Sequence, residues 1–266
     1  MKPILLCLHG WGGSQESFAE LREALQGTAI EILTPDLPGF GTEPEPPKPW
    51  GIDEYAEWVE QWFCRRDGSS PLTMTRRQAN VSPFDYTQCD TLTPPLHLLG
   101  HSLGGQIAVK LALRGNLHIR HLFLCAPAAI RPRFSVKRVT GYAIAKVGKA
   151  LFTLPGLHLL QPTFRTILYK LMGVHDYERA SSVMQRTMIR VTHEDLTAEL
   201  PRLSLPVDLF WGTGDRLTPL WKGKRMHTLI AGSSLHTYPS TRHSVHRDRA
   251  GEIAVIIDKI INGSKI

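Results

Sequence analysis

Ser102 lies in the run Gly100-His101-Ser102-Leu103-Gly104-Gly105, behind the apolar stretch Leu96-His97-Leu98-Leu99 and ahead of Ile107-Ala108-Val109-Lys110-Leu111-Ala112. A serine at a sharp turn between a buried strand and a helix can serve as a nucleophile. The turn lifts its hydroxyl above the sheet, and the helix N-terminus faces any anion that forms there. The flanking glycines leave room for a strained backbone, and Gly105 lets the helix approach the sheet closely. The G-x-S-x-G string alone says little in a chain with 22 glycines. Its place between strand and helix makes it specific.

A serine hydroxyl attacks only when a base takes its proton, so an imidazole and an orienting carboxylate are needed. In a site of this kind the order along the chain is serine, acid, histidine. Val207 to Trp211 reads as a short apolar strand, and Gly212-Thr213-Gly214-Asp215 turns off its end, which makes Asp215 the acid. The other reading of Asp215 is an Asx-turn capping the loop before Pro219. The earlier strand, His121–Cys125, runs into Ala126-Pro127-Ala128-Ala129 and offers no carboxylate. Twelve histidines compete for the base. His243 follows the last strand and sits where the base belongs; His246, three residues later, is the alternative. His9 and His101 read as turn residues that hold loops by hydrogen bonds.

The tetrahedral oxyanion needs donors. Pro3 to Leu8 is a very apolar strand, and the glycine-rich turn His9-Gly10-Trp11-Gly12-Gly13-Ser14 follows it. Such a turn can present backbone amides to the cleft, so the expected donors are the N–H groups of Trp11 and Leu103. Phe40 and Trp50 lie on loops at the same end and are candidates, with Trp11, for lining an apolar substrate pocket; plain aromatic packing on top of the sheet is the other reading.

These residues must be held by an α/β scaffold. Strands are expected at Ile4–Leu8, Glu31–Pro35, Leu96–Leu99, His121–Cys125, Val207–Trp211 and His236–Pro239. They alternate with helical patterns such as Ser17–Leu25, Asp53–Phe63, Gln106–Arg114 and Glu252–Ile261. Alternation of this kind implies a mostly parallel sheet covered on both faces, with its ligand site at the carboxyl ends of the strands.

From the first strand through H-G-W-G-G-S, Asp36-Leu37-Pro38-Gly39-Phe40-Gly41, the serine turn, W-G-T-G-D and His243, the chain resembles the α/β-hydrolase superfamily. Within it the chain looks most like the small carboxylesterases, including the methyl ester esterases of pimeloyl-acyl-carrier protein. The resemblance implies an α/β-hydrolase fold with about six strands, the usual two N-terminal strands trimmed away, and a small helical cap. Glu31–Pro35 then becomes an edge strand that needs shielding and offers a route to a homodimer. The core is expected over residues 1–127 and 204–266, with an irregular insertion at 67–95, and the cap over 128–203. Within the cap, helices are expected at about Thr163–Leu171 and Tyr177–Val191.

Composition narrows the function classes. With 266 residues and 42% hydrophobic content, the chain can bury one sizeable core. No apolar run is long enough to span a membrane, and the first strand leads straight into a functional loop, which argues against a removable signal peptide. Four cysteines without paired spacing point to reduced thiols and a cytoplasmic setting, and they lack a zinc pattern. No nucleotide-binding motif occurs, and no cofactor or metal is expected. The net charge is +7, and from Thr91 through His175 there is no Asp or Glu among eleven Lys or Arg. No aromatic-basic module accompanies that span, which argues against nucleic acid. An anionic substrate, an acidic carrier protein or an anionic membrane surface at the basic cap is the functional alternative to a solvated cationic face.

The expected reaction is hydrolysis of a small or medium carboxylic ester by Ser102, His243 and Asp215. Thioester or carbon–carbon bond hydrolysis and acyl transfer use the same constellation, and a ligand-binding receptor of this fold is the rival from another class. Serine at the turn argues against chemistry that proceeds through an alkyl ester on an aspartate.

Overall fold

The computed structural model describes residues 2–65, 94–131 and 180–263. Six strands form one parallel sheet: β1 (Ile4–Leu8), β2 (Glu31–Leu33), β3 (Leu96–His101), β4 (Ile119–Cys125), β5 (Val207–Gly212) and β6 (Ser234–Tyr238). Their order across the sheet is β2-β1-β3-β4-β5-β6, and every neighbouring pair is parallel. The central strands are continuous apolar runs because both of their faces are covered; all five residues of β1 and all six of β3 and β5 are buried. The edge strand β2 is three residues long and half-buried, shorter than the expected Glu31–Pro35 because the chain leaves the sheet at Thr34 to build the Asp36 loop.

The described helices are α1 (Ala19–Ala24), α2 (Ile52–Cys64), α3 (Leu103–Arg114), α4 (Ser182–His193), α5 (Leu220–Leu229), α6 (Val245–Asp248) and α7 (Ala250–Asn262). Side-chain alternation along β3 sorts them into layers. A Cβ on Gly100 would meet the start of α3, at Gly104 O (2.5 Å) and Gly105 Cα (2.6 Å). The next residue, His101, stacks instead on His246 of α6. Helices α2 and α3 therefore cover one face, while α1, α6 and α7 pack together on the other.

Helix α5 has no counterpart among the helical patterns named from the sequence, and it carries Gly223 in its interior. The structure explains that glycine: a Cβ there would press on the Trp211 ring, 2.7 Å from Cε3, so α5 lies on β5 only without one. The Ser17–Leu25 expectation resolves into a 3-10 turn, Gln15–Phe18, followed by α1. Helix α4 fulfils the second half of the Tyr177–Val191 expectation. Residues 132–179 of the expected cap and residues 67–93 of the expected insertion lie outside the described residues, Thr163–Leu171 among them.

Two polar clusters tie the layers together. Asp208, near the start of β5, accepts hydrogen bonds from His121 Nε2 of β4 (2.8 Å) and His236 Nε2 of β6 (2.5 Å), lacing three strands at the end remote from Ser102. Glu60 of α2 is fully buried and accepts from Arg114 Nε (2.9 Å), Arg114 Nη2 (3.0 Å) and Asn116 Nδ2 (3.1 Å). That pair clamps α2 to the far end of α3.

The cysteines depart from expectation. Cys7 and Cys125 are free and buried in the sheet, but Cys64, at the half-buried end of α2, is disulfide-bonded. The expectation of four reduced thiols therefore fails. Among the described residues, no helix is long and apolar enough to cross a membrane.

A buried carboxylate stripped of its cation is more costly than the pair is beneficial. Arg114→Met should lower unfolding free energy in urea by about 3 kcal/mol, whereas the double change Glu60→Leu/Arg114→Met should recover most of that loss.

Candidate active site

Ser102 follows β3 and caps α3 with φ 51° and ψ −110°, a left-handed conformation that L-residues avoid. Its backbone over-determines this geometry. Ser102 N–H donates to Cys125 O (3.1 Å), and Ser102 O accepts from Gly105 N (3.1 Å), Gln106 N (3.2 Å) and Ala128 N (3.0 Å). Gly104 is obligatory for a second reason: a Cβ there would run into the carbonyl of Leu8 at the end of β1. The glycines flanking the serine thus bring the start of α3 against two strands.

Asp215 and His243 arrive on the loops that follow β5 and β6. Asp215 closes the turn after β5, and its Oδ1 accepts from the amides of Leu217 (2.8 Å) and Thr218 (2.9 Å). Its Oδ2 faces His243 Nδ1 at 2.7 Å and the Thr218 hydroxyl at 2.7 Å. Burial works to raise the Asp215 pKa, but the hydrogen bonds from His243 and Thr218 outweigh it and hold the group below the usual carboxylate range. An ionised Asp215 accepts the Nδ1 proton of His243, an arrangement that leaves the Nε2 lone pair able to accept a proton. The Asx-turn reading of Asp215 is also true of its Oδ1; the two roles use different oxygens.

His101, the last residue of β3, connects that strand to the loop that carries His243. Its Nε2–H donates to the His243 carbonyl (3.2 Å), and the two rings lie 4.8 Å apart. Burial, reinforced by His246 and His243, keeps His101 neutral, with a pKa well below the ordinary value. His246, the alternative base, stands on α6 with its ring 4.0 Å from that of His101. It is 2% exposed, and neither of its ring nitrogens makes a hydrogen bond of normal geometry. Burial drives its pKa down to about 3. Its packing is that of an aromatic wedge, and Asp215 is paired with His243 instead. Ser102 is half-buried, and its hydroxyl has no hydrogen-bond partner among the described residues.

The oxyanion side is equally polar. Neither the Trp11 amide nor the Leu103 amide donates to another group among the described residues; Leu103 opens α3, where amides have no intrahelical acceptor. His9, fully buried, shapes the loop before Trp11. Its Nε2 accepts from Leu37 N (2.9 Å), so the proton resides on Nδ1, which donates to Gly10 O (2.8 Å). Burial lowers the His9 pKa, consistent with that neutral tautomer. Asp36 then joins three segments: Oδ1 accepts from Gln15 N (2.6 Å), and Oδ2 from Thr42 N (2.8 Å) and Thr42 Oγ1 (3.0 Å). Burial opposes its charge, but these donors prevail and its pKa is lowered. The roles of Asp36, Thr218 and His246 were not read from the sequence. The string D-L-P-G-F-G marked only the loop that Asp36 organises.

Of the pocket candidates, Phe40 is brought to the site: its ring stands edge-on to Trp11 at 4.9 Å and to His9 at 5.6 Å. Trp50 packs edge-on against Tyr55, and its amide donates to Thr187 of α4. It anchors α4 to the core, and no ring contact joins it to Trp11 or Phe40 among the described residues.

Residues 5–255 match the model of the alpha/beta hydrolase family. The pimeloyl-[acyl-carrier protein] methyl ester esterase of Neisseria meningitidis is 26% identical over 268 residues, covering 96% of this chain and 76% of that one. The enzyme of the same name from Chromobacterium violaceum is 26% identical, covering 91% of this chain and 87% of its own. Among solved structures, an esterase from Exiguobacterium antarcticum superposes with a TM-score of 0.67 at 19% identity, over 98% of this chain and 92% of that one. A strained serine between β3 and α3, the six-stranded parallel sheet beneath it and a family match spanning nearly the whole sequence lead to one assignment: this chain belongs to the α/β hydrolase family.

Proposed function

We propose that the protein is a serine hydrolase that cleaves carboxylic esters through an acyl-enzyme. The observation that carries this reading is the Asp215–His243 pair at 2.7 Å, with the His243 ring 4.8 Å from that of His101, the residue before the strained Ser102. Ser102 Oγ attacks the ester carbonyl while His243 Nε2 takes its proton. The developing oxyanion is met by the Trp11 and Leu103 amides, which are not engaged elsewhere. His243 then protonates the departing alcohol, and water, activated by the same imidazole, releases the acid. Asp215 keeps the proton on Nδ1 and compensates the imidazolium. Phe40 and Trp11 offer the acyl chain an apolar wall. No cofactor has a part in this sequence of steps.

The two curated relatives named above act on the methyl ester of a pimeloyl chain borne by an acyl-carrier protein. An acyl ester on an acidic carrier is therefore the first natural substrate class to test. The acid-free span from Thr91 through His175, with its eleven basic residues, supports an anionic partner for the middle of the chain, where the cap is expected.

Against p-nitrophenyl esters from acetate to laurate, Ser102→Ala should lose at least about 10³-fold in kcat. Full retention of turnover would remove the nucleophile from Ser102. His243→Gln should fall comparably, because it removes the base. His246→Phe should keep turnover, since the ring acts by packing; a loss equal to that of His243→Gln would reverse the assignment of the base.

The same variant reports on stability. His246 stays neutral in the folded protein down to about pH 3, while an unfolded chain protonates it near 6.5. Its folded pKa is thus depressed, and stability drains away as pH falls from about 6.5 towards 3, at about 1.4 kcal/mol per pH unit for one such group. His246→Phe should therefore raise the urea midpoint more at pH 5 than at pH 8.

A further inference from the structure

The hydrogen bonds around Asp215 leave one side chain without a part in the chemistry described so far. Thr218 is 4% exposed, three residues beyond the acid. Its Oγ1 lies 2.7 Å from Asp215 Oδ2, 3.2 Å from Ala126 O and 3.2 Å from His243 Nδ1. A hydroxyl has one proton to give. His243 Nδ1 carries its own proton towards Asp215, so it does not accept from Thr218. Were the hydroxyl to donate only to Ala126 O, its lone pairs would oppose the carboxylate oxygen at 2.7 Å. The hydroxyl therefore donates to Asp215 Oδ2, the same oxygen that receives the imidazole proton. Ala126 O holds the hydroxyl from behind, and Ala126 itself is fixed by its amide to Phe210 O (3.0 Å).

We infer that Thr218 is a positioning residue which, through its hydroxyl, shares Asp215 Oδ2 with His243 and so limits how strongly the acid holds the imidazolium. The inference rests on the triad reading given above. A carboxylate oxygen with two donors carries less free charge towards either one. Removing the hydroxyl concentrates that charge on the remaining donor, stabilises the protonated imidazole and makes proton return to the leaving group harder. The methyl of Thr218 and the two amides on Oδ1 remain to keep the carboxylate in place, so the effect is electrostatic before it is structural.

Other groups that face this cluster stay constant in the comparison. Lys222 on α5 is the nearby cation acting on Asp215, and Asp195 acts in turn on Lys222. His101 of β3 and His246 of α6 face His243 from below and are neutral. None of them bonds to the Thr218 hydroxyl.

The test is the pH dependence of kcat/KM for one p-nitrophenyl ester in Thr218→Val, Thr218→Ser and Ser102→Ala, with Thr218→Ala as a second hydroxyl deletion should the valine variant fold poorly. Thr218→Val should move the acid limb to higher pH by about half a unit, equivalent to about threefold lower kcat/KM at pH values below that limb. KM on the plateau should be unchanged. Thr218→Ser, which keeps the donor, should restore the wild-type limb. In NMR spectra at acidic pH, the His243 Nδ1 proton should move downfield in Thr218→Val and return in Thr218→Ser. An acid limb that stays in place in both hydroxyl deletions, or that moves equally in Thr218→Ser, would overturn the role of Thr218. Turnover retained in Ser102→Ala would instead overturn the triad reading, so the two failures are distinguishable.

Discussion

The close approach of the α3 N-terminus to β1 and β3 governs the rest of the site. Gly104 stands against the Leu8 carbonyl and Gly100 against the first turn of the helix, so the chain must reverse within Ser102 itself. The resulting left-handed serine is unfavourable by about 1–3 kcal/mol for an ordinary residue. It persists because four backbone hydrogen bonds and the buried β3–β4 pairing leave it no alternative. The same approach brings the Leu103 amide, at the positive end of α3, alongside the loop that carries Trp11. A packing constraint in the scaffold thus becomes an electrostatic feature of the cleft.

Around that turn, polar groups are used with economy. Asp215 assigns one oxygen to two loop amides and the other to His243 and Thr218, so loop shape and imidazole tautomer are set by one carboxylate. His9 and His101 each donate one ring proton to a backbone carbonyl of a loop at the site. Both are held neutral by burial, which keeps positive charge away from the His243 imidazole, the ring that becomes charged in the mechanism we propose. Burial of histidine is a device here for placing donors without adding cations.

Much of this arrangement was legible in the residues. β1 and β5 announced themselves as unbroken apolar runs, because a parallel strand covered on both faces tolerates little else. The turn strings at Gly10, Ser102 and Asp215 were readable because glycine and short polar residues mark strand exits. What escaped reading depends on contacts distant along the chain. The reason for a glycine at position 223 is the Trp211 ring beneath it, a contact that the sequence does not display. His246 looks like a rival base until its ring is found wedged against His101 and Phe18. Thr218 is an unremarkable loop residue until Asp215 and Ala126 fold around it. Cys64 resembled the strand cysteines by residue type alone, yet it differs from them in having a covalent partner. Trp50, a candidate for pocket or for packing as a loop aromatic, has neighbours that fasten α4 to the core.

Asp36 joins the Gln15 and Thr42 segments by accepting from their amides, and His9 takes the amide of the next residue, Leu37. The aromatic pair Phe40–Trp11 therefore rests on a polar frame whose geometry owes little to the two rings themselves. Ring size at position 40 is in that sense uncoupled from the path of the backbone through Trp11. Under the proposed ester chemistry, a change of side chain at that one position would reshape the apolar wall beside Trp11 while the loop that Asp36 holds keeps its course, so substrate range could diversify without the reaction having to be reinvented.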